Sequence, residues 1–369
     1  MKIMFVSLGC DKNLVDTEMM LGQLHSRGYE FIDDENEADA VVVNTCCFIH
    51  DAKQESVDTL LEMAELKKNG RCRFLIACGC LAQRYRQEII DEIPEVDAVV
   101  GTSAYDKIAD TLDELVNKQG DGINCFEDIN RLPQTHDRRI VTTGGYYEYL
   151  KIAEGCDKCC TYCIIPKVRG SYRSVPMDEL IKQAEDLAEQ GVKELILVAQ
   201  ETSLYGTDLY GEKSLHRLLH ELAAIDGIEW IRILYCYPEE IDDTLIQAIK
   251  SEPKVCHYLD LPIQHANDAI LKRMGRRTTK QDLIDIVKKL RSEIPDICLR
   301  TTLITGFPGE TKEQHEEVLD FIDELEFDRL GAFTYSAEED TPAAGFDNQI
   351  DEDVKAARRD AVMELQQEI

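Results

Sequence analysis

The sequence predicts an α/β protein in two parts, a parallel sheet flanked by helices followed by a partial β/α barrel. Three observations predict it. Short apolar runs alternate with longer amphipathic ones along most of the chain, the pattern of strands joined by crossover helices. A polar stretch, 119–145, carries scattered Gly, Asp, Asn and Arg without sustained periodicity, and reads as a linker between two such series. The length, 369 residues, is too great for one ordinary domain, and 44% hydrophobic residues supply ample core for two.

Residues 1–118 form the first series. Strands are expected at Lys2–Leu8, Ala40–Thr45, Phe74–Ala77 and Ala98–Val100, and helices at Leu14–Arg27, Asp51–Lys68, Ala82–Ile93 and Tyr105–Lys118. Cys10, Cys46 and Cys80 fall just after the first three strands. Parallel strands end on one edge of their sheet, which is where such sheets build sites. Residues 146–369 form the second series. Its strand candidates are Tyr147–Ala153, Glu194–Ala199, Trp230–Tyr235, Tyr258–Ile263, Leu299–Thr305 and Leu330–Tyr335. The stretches between them are helical: Leu180, Ile181, Ala184, Leu187 and Ala188, for example, share one helix face. Six β/α units fit a partial barrel with its chemistry at the carboxyl ends of the strands. Asp351–Ile369 reads as a last helix.

Composition narrows the function classes. No apolar run reaches the length of a membrane span, and Met1–Cys10 reads as a strand rather than a signal peptide, so a cytoplasmic protein is expected. Fourteen cysteines are many for such a chain. In a reducing compartment they point to metal binding or redox chemistry rather than disulfides. Cys236, Cys256 and Cys298 lie in or beside apolar runs and read as small buried hydrophobes. The formal net charge of −31 argues against direct grip of an RNA backbone, which needs a basic surface, and suits a basic protein partner.

The strongest motif is Gly155-Cys156-Asp157-Lys158-Cys159-Cys160-Thr161-Tyr162-Cys163, in which Cys156, Cys160 and Cys163 make C-x3-C-x2-C directly after the first barrel strand. Three thiolates can hold a four-iron cubane and leave one iron open to a small-molecule ligand. A zinc site would want a fourth ligand, and the only local candidate, Cys159, breaks the spacing of a zinc ribbon.

This element at the head of a partial barrel resembles the radical S-adenosylmethionine superfamily, whose barrel is of the TIM type. Further motifs narrow the likeness. Arg169-Gly170-Ser171-Tyr172-Arg173-Ser174, Gly306-Phe307-Pro308-Gly309-Glu310-Thr311, Gly9-Cys10, Asn44-Thr45-Cys46 and Gly79-Cys80-Leu81-Ala82-Gln83 are similar to those of the methylthiotransferase family, across essentially the whole chain. The resemblance implies two 4Fe-4S clusters, one on Cys156, Cys160 and Cys163 and a second on Cys10, Cys46 and Cys80. It also implies S-adenosyl-L-methionine as cofactor, an external electron donor, and transfer of a methylthio group to a carbon radical of the substrate. Cys47, where the family more often has a small residue, and Cys78 are read as bystanders. By the same resemblance Tyr162 contacts the adenine, while Gln200, Thr202, Gln264 and Gly306 line the cofactor site at strand ends; His265 follows the fourth strand beside Gln264. His50 and His257 are read as surface or packing residues.

Two branches of the family differ in substrate. Ser7 to Asp16, Leu261-Pro262-Ile263-Gln264-His265, Tyr235 to Pro238 and Tyr205 to Gly211 resemble the branch that modifies the β-carbon of an aspartate in a small-subunit ribosomal protein. The other branch modifies an adenosine near the tRNA anticodon and usually has Gln-Ser-Gly where Gln264-His265-Ala266 stands here. Both normally continue into a small β-barrel, the TRAM domain, and Gln366-Gln367-Glu368-Ile369 falls where the helix leading into it is expected to finish. A different class, an iron–sulfur electron carrier, fits less well, because carriers usually close their clusters with four protein ligands.

Overall fold

The computed structural model describes residues 1–118, 122–134 and 138–369. Residues 119–121 and 135–137 of the expected linker lie outside the described residues. The chain divides into two compact units: Met1–Gly144 with Ile164–Arg173, and Gly145–Cys163 with Ser174–Ile369.

The first unit is built on a parallel sheet of six strands, Lys2–Ser7 (β1), Glu30–Phe31 (β2), Ala40–Thr45 (β3), Phe74–Gly79 (β4), Ala98–Val100 (β5) and Ile123–Cys125 (β6), in the order β2-β1-β3-β4-β5-β6. Central strands β3 and β4 are buried at every residue. Helices cover both faces of such a sheet, so its strands read as unbroken apolar runs rather than alternating ones. The register pairs Ser7 with Asn44 and Asn44 with Cys78, which levels the carboxyl ends of β1, β3 and β4.

The structure departs from the sequence reading in several places, among them the short strands Glu30–Phe31 and Arg173–Ser174. Ile123–Cys125, read as linker, is the edge strand β6; its central Asn124 breaks the apolar run that would have marked it. Two arginines of that stretch are tied within the first unit, Arg131 on Asp106 at 2.8 Å and Arg139 on Glu18 at 2.6 Å. The single helix expected over Ala82–Ile93 is two, Cys80–Tyr85 and Gln87–Glu92, because Arg86 adopts a positive φ of 45° between them.

The second unit carries Tyr147–Lys151 (β7), the short strands Ala153–Glu154 (β8) and Arg173–Ser174 (β9), Glu194–Val198 (β10), Trp230–Ile233 (β11), Val255–Gln264 (β12), Cys298–Thr305 (β13) and Arg329–Thr334 (β14). Six of these make a parallel sheet in the order β14-β13-β12-β11-β10-β7. Each strand lies beside its sequence neighbour and β7 and β14 are edges, so the barrel is partial and open. The last helix, Glu352–Glu368, packs on β14 and β13. Its Lys355 Nζ donates to Tyr335 O at 3.0 Å and its Gln366 Nε2 to Phe327 O at 2.8 Å. Among the described residues no helix is long and apolar enough to cross a membrane.

Candidate functional site

In the first unit, level strand ends bring Cys10, Cys46 and Cys80 to one edge of the sheet. Gly9 and Gly79, immediately before two of them, each hold φ near +89°, open to glycine alone at low cost. Space forbids a side chain there as well. A Cβ on Gly9 would stand 2.7 Å from Cys46 Cβ and 2.9 Å from its Sγ, and one on Gly79 would stand 2.3 Å from Asn44 Oδ1. Cys10 is exposed, whereas Cys46 and Cys80 are each 6% exposed. Burial pushes both buried thiols up, because a lone thiolate is costly away from water. A bound metal would offset that cost, so the donor set fits a cluster.

The surroundings of Cys80 are polar. Arg169 Nε donates to Cys80 Sγ at 3.3 Å, its Nη1 donates to Asp16 at 2.7 Å, and its Nη2 donates to Asn13 Oδ1. Asn13 Nδ2 in turn donates to Leu8 O and Thr45 O, tying together the chain that leaves β1 and β3. Cys78 donates to Val43 O at 3.4 Å from inside β4, and Cys47 is wholly buried in the apolar core that also holds Cys80. Sequence reasoning missed Asn13, Asp16 and the burial of Arg169. Nothing local marks them, since their partners are remote in the chain.

In the second unit, Cys156 and Cys160 are buried and Cys163 is half-buried. The loop turns on Cys159, exposed and with φ of 53°, and closes with Cys163 N donating to Cys160 O at 3.0 Å. Thr161 anchors it, its N donating to Met274 O at 2.9 Å and its Oγ1 to Arg273 O at 2.8 Å. Burial pushes the Cys156 thiol up to about 12. Cys160 Sγ lies 3.6 Å from Tyr237 Oη, and the Arg276 guanidinium stacks 4.1 Å over the Tyr237 ring.

Unpartnered buried polar atoms lie just past β10, Gln200 Oε1 and Glu201 Oε2, at the end of β12, Gln264 Oε1, and after the helix Asp268–Arg273, Nε and Nη1 of Arg276. Buried polar atoms are normally paired, so this set fits a small polar ligand. Gln264 holds φ of 70° at the end of β12. Gln200 donates to Glu154 at 3.1 Å. Burial raises the Glu201 carboxyl to about 7.

Other expected residues have structural partners. The buried Thr202 donates to Leu234 O at 2.7 Å, locking the ends of β10 and β11. Tyr162 packs against Ile270, Met274, Phe307 and Tyr335. Gly306 holds φ of 71°, and a Cβ there would stand 2.3 Å from Lys355 Cγ. The turn it begins is organised by Glu310, a residue sequence reasoning did not single out. Its Oε2 accepts from Gly306 N at 2.7 Å and lies 3.6 Å from His265 Nε2, and its Oε1 pairs with Arg358 at 3.0 Å. His257 sits at the surface on Asp296. Among the described residues no three His, Cys, Asp or Glu side chains are close enough to share one metal ion. Thiolates around a cubane bind separate irons and so stand farther apart.

Comparison with known proteins agrees in both units. Residues 2–101 match the model of Uncharacterized protein family UPF0004, and residues 150–322 match the Radical SAM superfamily. The chain is 62% identical over 369 residues to the ribosomal protein uS12 methylthiotransferase RimO of Lachnoclostridium phytofermentans, covering all of this chain and 83% of that protein. It is 53% identical to the protein of the same name from Clostridioides difficile, again over the whole chain and 83% of the relative. Among solved structures, the radical S-adenosylmethionine methyltransferase TsrM from Kitasatospora setae, with cobalamin and a 4Fe-4S cluster, aligns with a TM-score of 0.66. The alignment has 13% identity over 93% of this chain and 73% of that one. OxsB, a cobalamin-dependent S-adenosylmethionine radical enzyme, aligns with a TM-score of 0.60 at 15% identity, over 93% of this chain and 54% of that one. At such identities the likeness shows the fold.

Proposed function

The chain belongs to the family of ribosomal protein uS12 methylthiotransferases, and on that premise we propose how its residues serve the reaction. Cys10, Cys46 and Cys80 hold one 4Fe-4S cluster and Cys156, Cys160 and Cys163 hold the other. When bound, the clusters and S-adenosyl-L-methionine supply the electron, the hydrogen-abstracting radical and the sulfur that replace a C–H bond by C–S–CH3.

The protein supplies binding and orientation. Gly9 and Gly79 let the chain turn so that the thiols of the first unit share one edge. Gln200, Glu201, Gln264 and Arg276 offer the unpaired donors and acceptors that a methionine amino and carboxylate group require. Tyr237 and Arg276 cover the loop that carries Cys160. Glu310 holds the Gly306 turn by its backbone N–H groups.

The substrate is the β-carbon of an aspartate in the small-subunit ribosomal protein uS12, reached in the cytoplasm with electrons from an external donor. The observation that carries this reading is the pair of three-cysteine sets, each at the carboxyl edge of its own parallel sheet. The net charge of −31 supports a basic protein substrate. Identity across the whole chain with relatives named for uS12 favours that substrate over a tRNA adenosine.

The test is anaerobic incubation of the reconstituted protein with S-adenosyl-L-methionine, reductant and either uS12 or tRNA, followed by mass spectrometry. A methylthio group on an aspartate of uS12 is expected. Modification of tRNA alone would move the chain to the other branch, and no cleavage of S-adenosyl-L-methionine would leave only an electron carrier.

A further inference from the structure

The segment Ile164–Arg173 directly follows Cys163, the last cysteine of the C-x3-C-x2-C element, yet it belongs to the first unit. Its anchoring there is thorough. Ile164 and Val168 are buried in the apolar cluster that contains Cys47, Leu75 and Leu81. Val168 O accepts from Thr102 Oγ1 at 2.7 Å. Gly170, with φ of 74°, passes so close to Asn130 that a Cβ would stand 2.7 Å from its Oδ1, and Ser171 N donates to that same oxygen at 3.0 Å. The short helix Ile165–Arg169 is therefore held at both ends, and the direction of its last side chain follows.

That side chain is Arg169, 1% exposed and the largest wholly buried side chain among the described residues. A buried guanidinium is costly unless every donor is used. Here the planar fork reaches Asp16, Asn13 and the sulfur of Cys80 at once. Lysine, a compact point charge, cannot make this set of contacts. The Nε–H aimed at Cys80 Sγ is a hydrogen bond to a sulfur proposed above as a cluster ligand.

We propose that Arg169 is a positioning residue for the N-terminal cluster, fixing Cys80 in orientation and raising that cluster's reduction potential by donating a hydrogen bond to its sulfur. The inference rests on the reading of Cys10, Cys46 and Cys80 as ligands. Reduction adds negative charge to a cluster, and a nearby cation or N–H donor favours the reduced form. Loss of the donor moves the potential down. Asp16 holds the guanidinium in place and Asn13 sets its plane, so the three act together.

The experiment uses a background of Cys156→Ala, Cys160→Ala and Cys163→Ala, in which only the first unit binds iron. Removing Arg169 alone would take the ion-pair partner from the buried Asp16 carboxylate, so the informative variant is Arg169→Gln combined with Asp16→Asn, which neutralises the pair together. Redox titration followed by electron paramagnetic resonance, with iron content and thermal unfolding, reads the outcome. A more negative midpoint in the double variant, with Arg169→Lys between it and the parent, is expected. Loss of iron with an unchanged unfolding midpoint also supports the role, because the ligand has then lost its orientation. A midpoint equal to the parent's at full iron content overturns the inference, as does loss of iron that merely follows loss of fold. A parent that binds no iron refutes the ligand reading itself, and the inference with it.

Discussion

Gly79→Ala tests whether the turn before Cys80 is what builds the N-terminal site. Gly79 has φ 89° and ψ −156°, a region essentially reserved for glycine. Forcing alanine into it costs on the order of 1–3 kcal/mol. The new Cβ would also stand 2.3 Å from Asn44 Oδ1 and 2.5 Å from Thr45 O, one of them backbone. Relieving that overlap costs roughly another 1–3 kcal/mol. Asn44 cannot retreat freely, since its Nδ2 donates to Asn13 O at 2.8 Å and to Thr17 Oγ1 at 2.9 Å. A loss of about 3 kcal/mol should lower the unfolding midpoint of a unit this size by roughly 6–12 °C. The displaced turn carries Cys80, so iron per chain should fall from about eight to about four, one cubane lost. Cleavage of S-adenosyl-L-methionine, which depends on the other unit, should persist. Iron and sulfide analysis, calorimetry and a cleavage assay read the three effects. A variant that keeps about eight irons and its midpoint would refute the reasoning from both the strain and the contact.

Other outcomes are expected on the same grounds. Cys160→Ala should abolish cleavage of S-adenosyl-L-methionine, whereas Cys46→Ala should spare cleavage and stop methylthiolation; product analysis by mass spectrometry separates them, and sulfur insertion by Cys46→Ala would remove that residue from the ligand set. Thr202→Val leaves Leu234 O without its donor and should cost about 1–3 kcal/mol of stability while the KM for S-adenosyl-L-methionine stays unchanged. A raised KM at unchanged stability would instead make Thr202 a cofactor contact. Glu310→Gln should destabilise the second unit by about 3 kcal/mol or more at neutral pH, because Arg358 loses its buried partner. Burial opposes ionisation of Glu310, but the nearby His265 ring, the Arg358 guanidinium and the N–H groups of Gly306 and Phe307 outweigh it and hold the carboxyl below its ordinary value. Its contribution is therefore complete above the ordinary carboxylate range and lost as pH falls through the lowered folded value. The difference between wild type and variant, followed by thermal unfolding, should shrink on acidification, and a constant difference would show that Glu310 acts by shape alone.

Much of the fold was legible because it is written in short-range pattern. The apolar runs Ala40–Thr45 and Phe74–Ala77 could be only strands covered on both faces, and they are buried throughout. Cys10, Cys46 and Cys80 each follow an apolar run, and Cys156, Cys160 and Cys163 lie within a few residues of one another; the second group stood out by spacing, whereas the first was singled out as a set by the family resemblance. The extra strand Ile123–Cys125 was not legible, since its polar Asn124 breaks the apolar run that marked the equally short Ala98–Val100.

What only the tertiary structure decided are the long-range polar partnerships. Arg169 meets Cys80 across 89 positions and Asp16 across 153, and nothing within a helical turn of any of them announces the meeting. The same holds for Glu310 and Arg358, 48 positions apart. Thr202, expected at the cofactor site, donates its hydroxyl to the carbonyl of Leu234 just past β11, a partner 32 positions away that no local pattern names. Periodicity records which face of an element is dry. It does not record which buried charge finds which partner, because that depends on where the chain returns after folding, and there desolvation makes each pairing matter most.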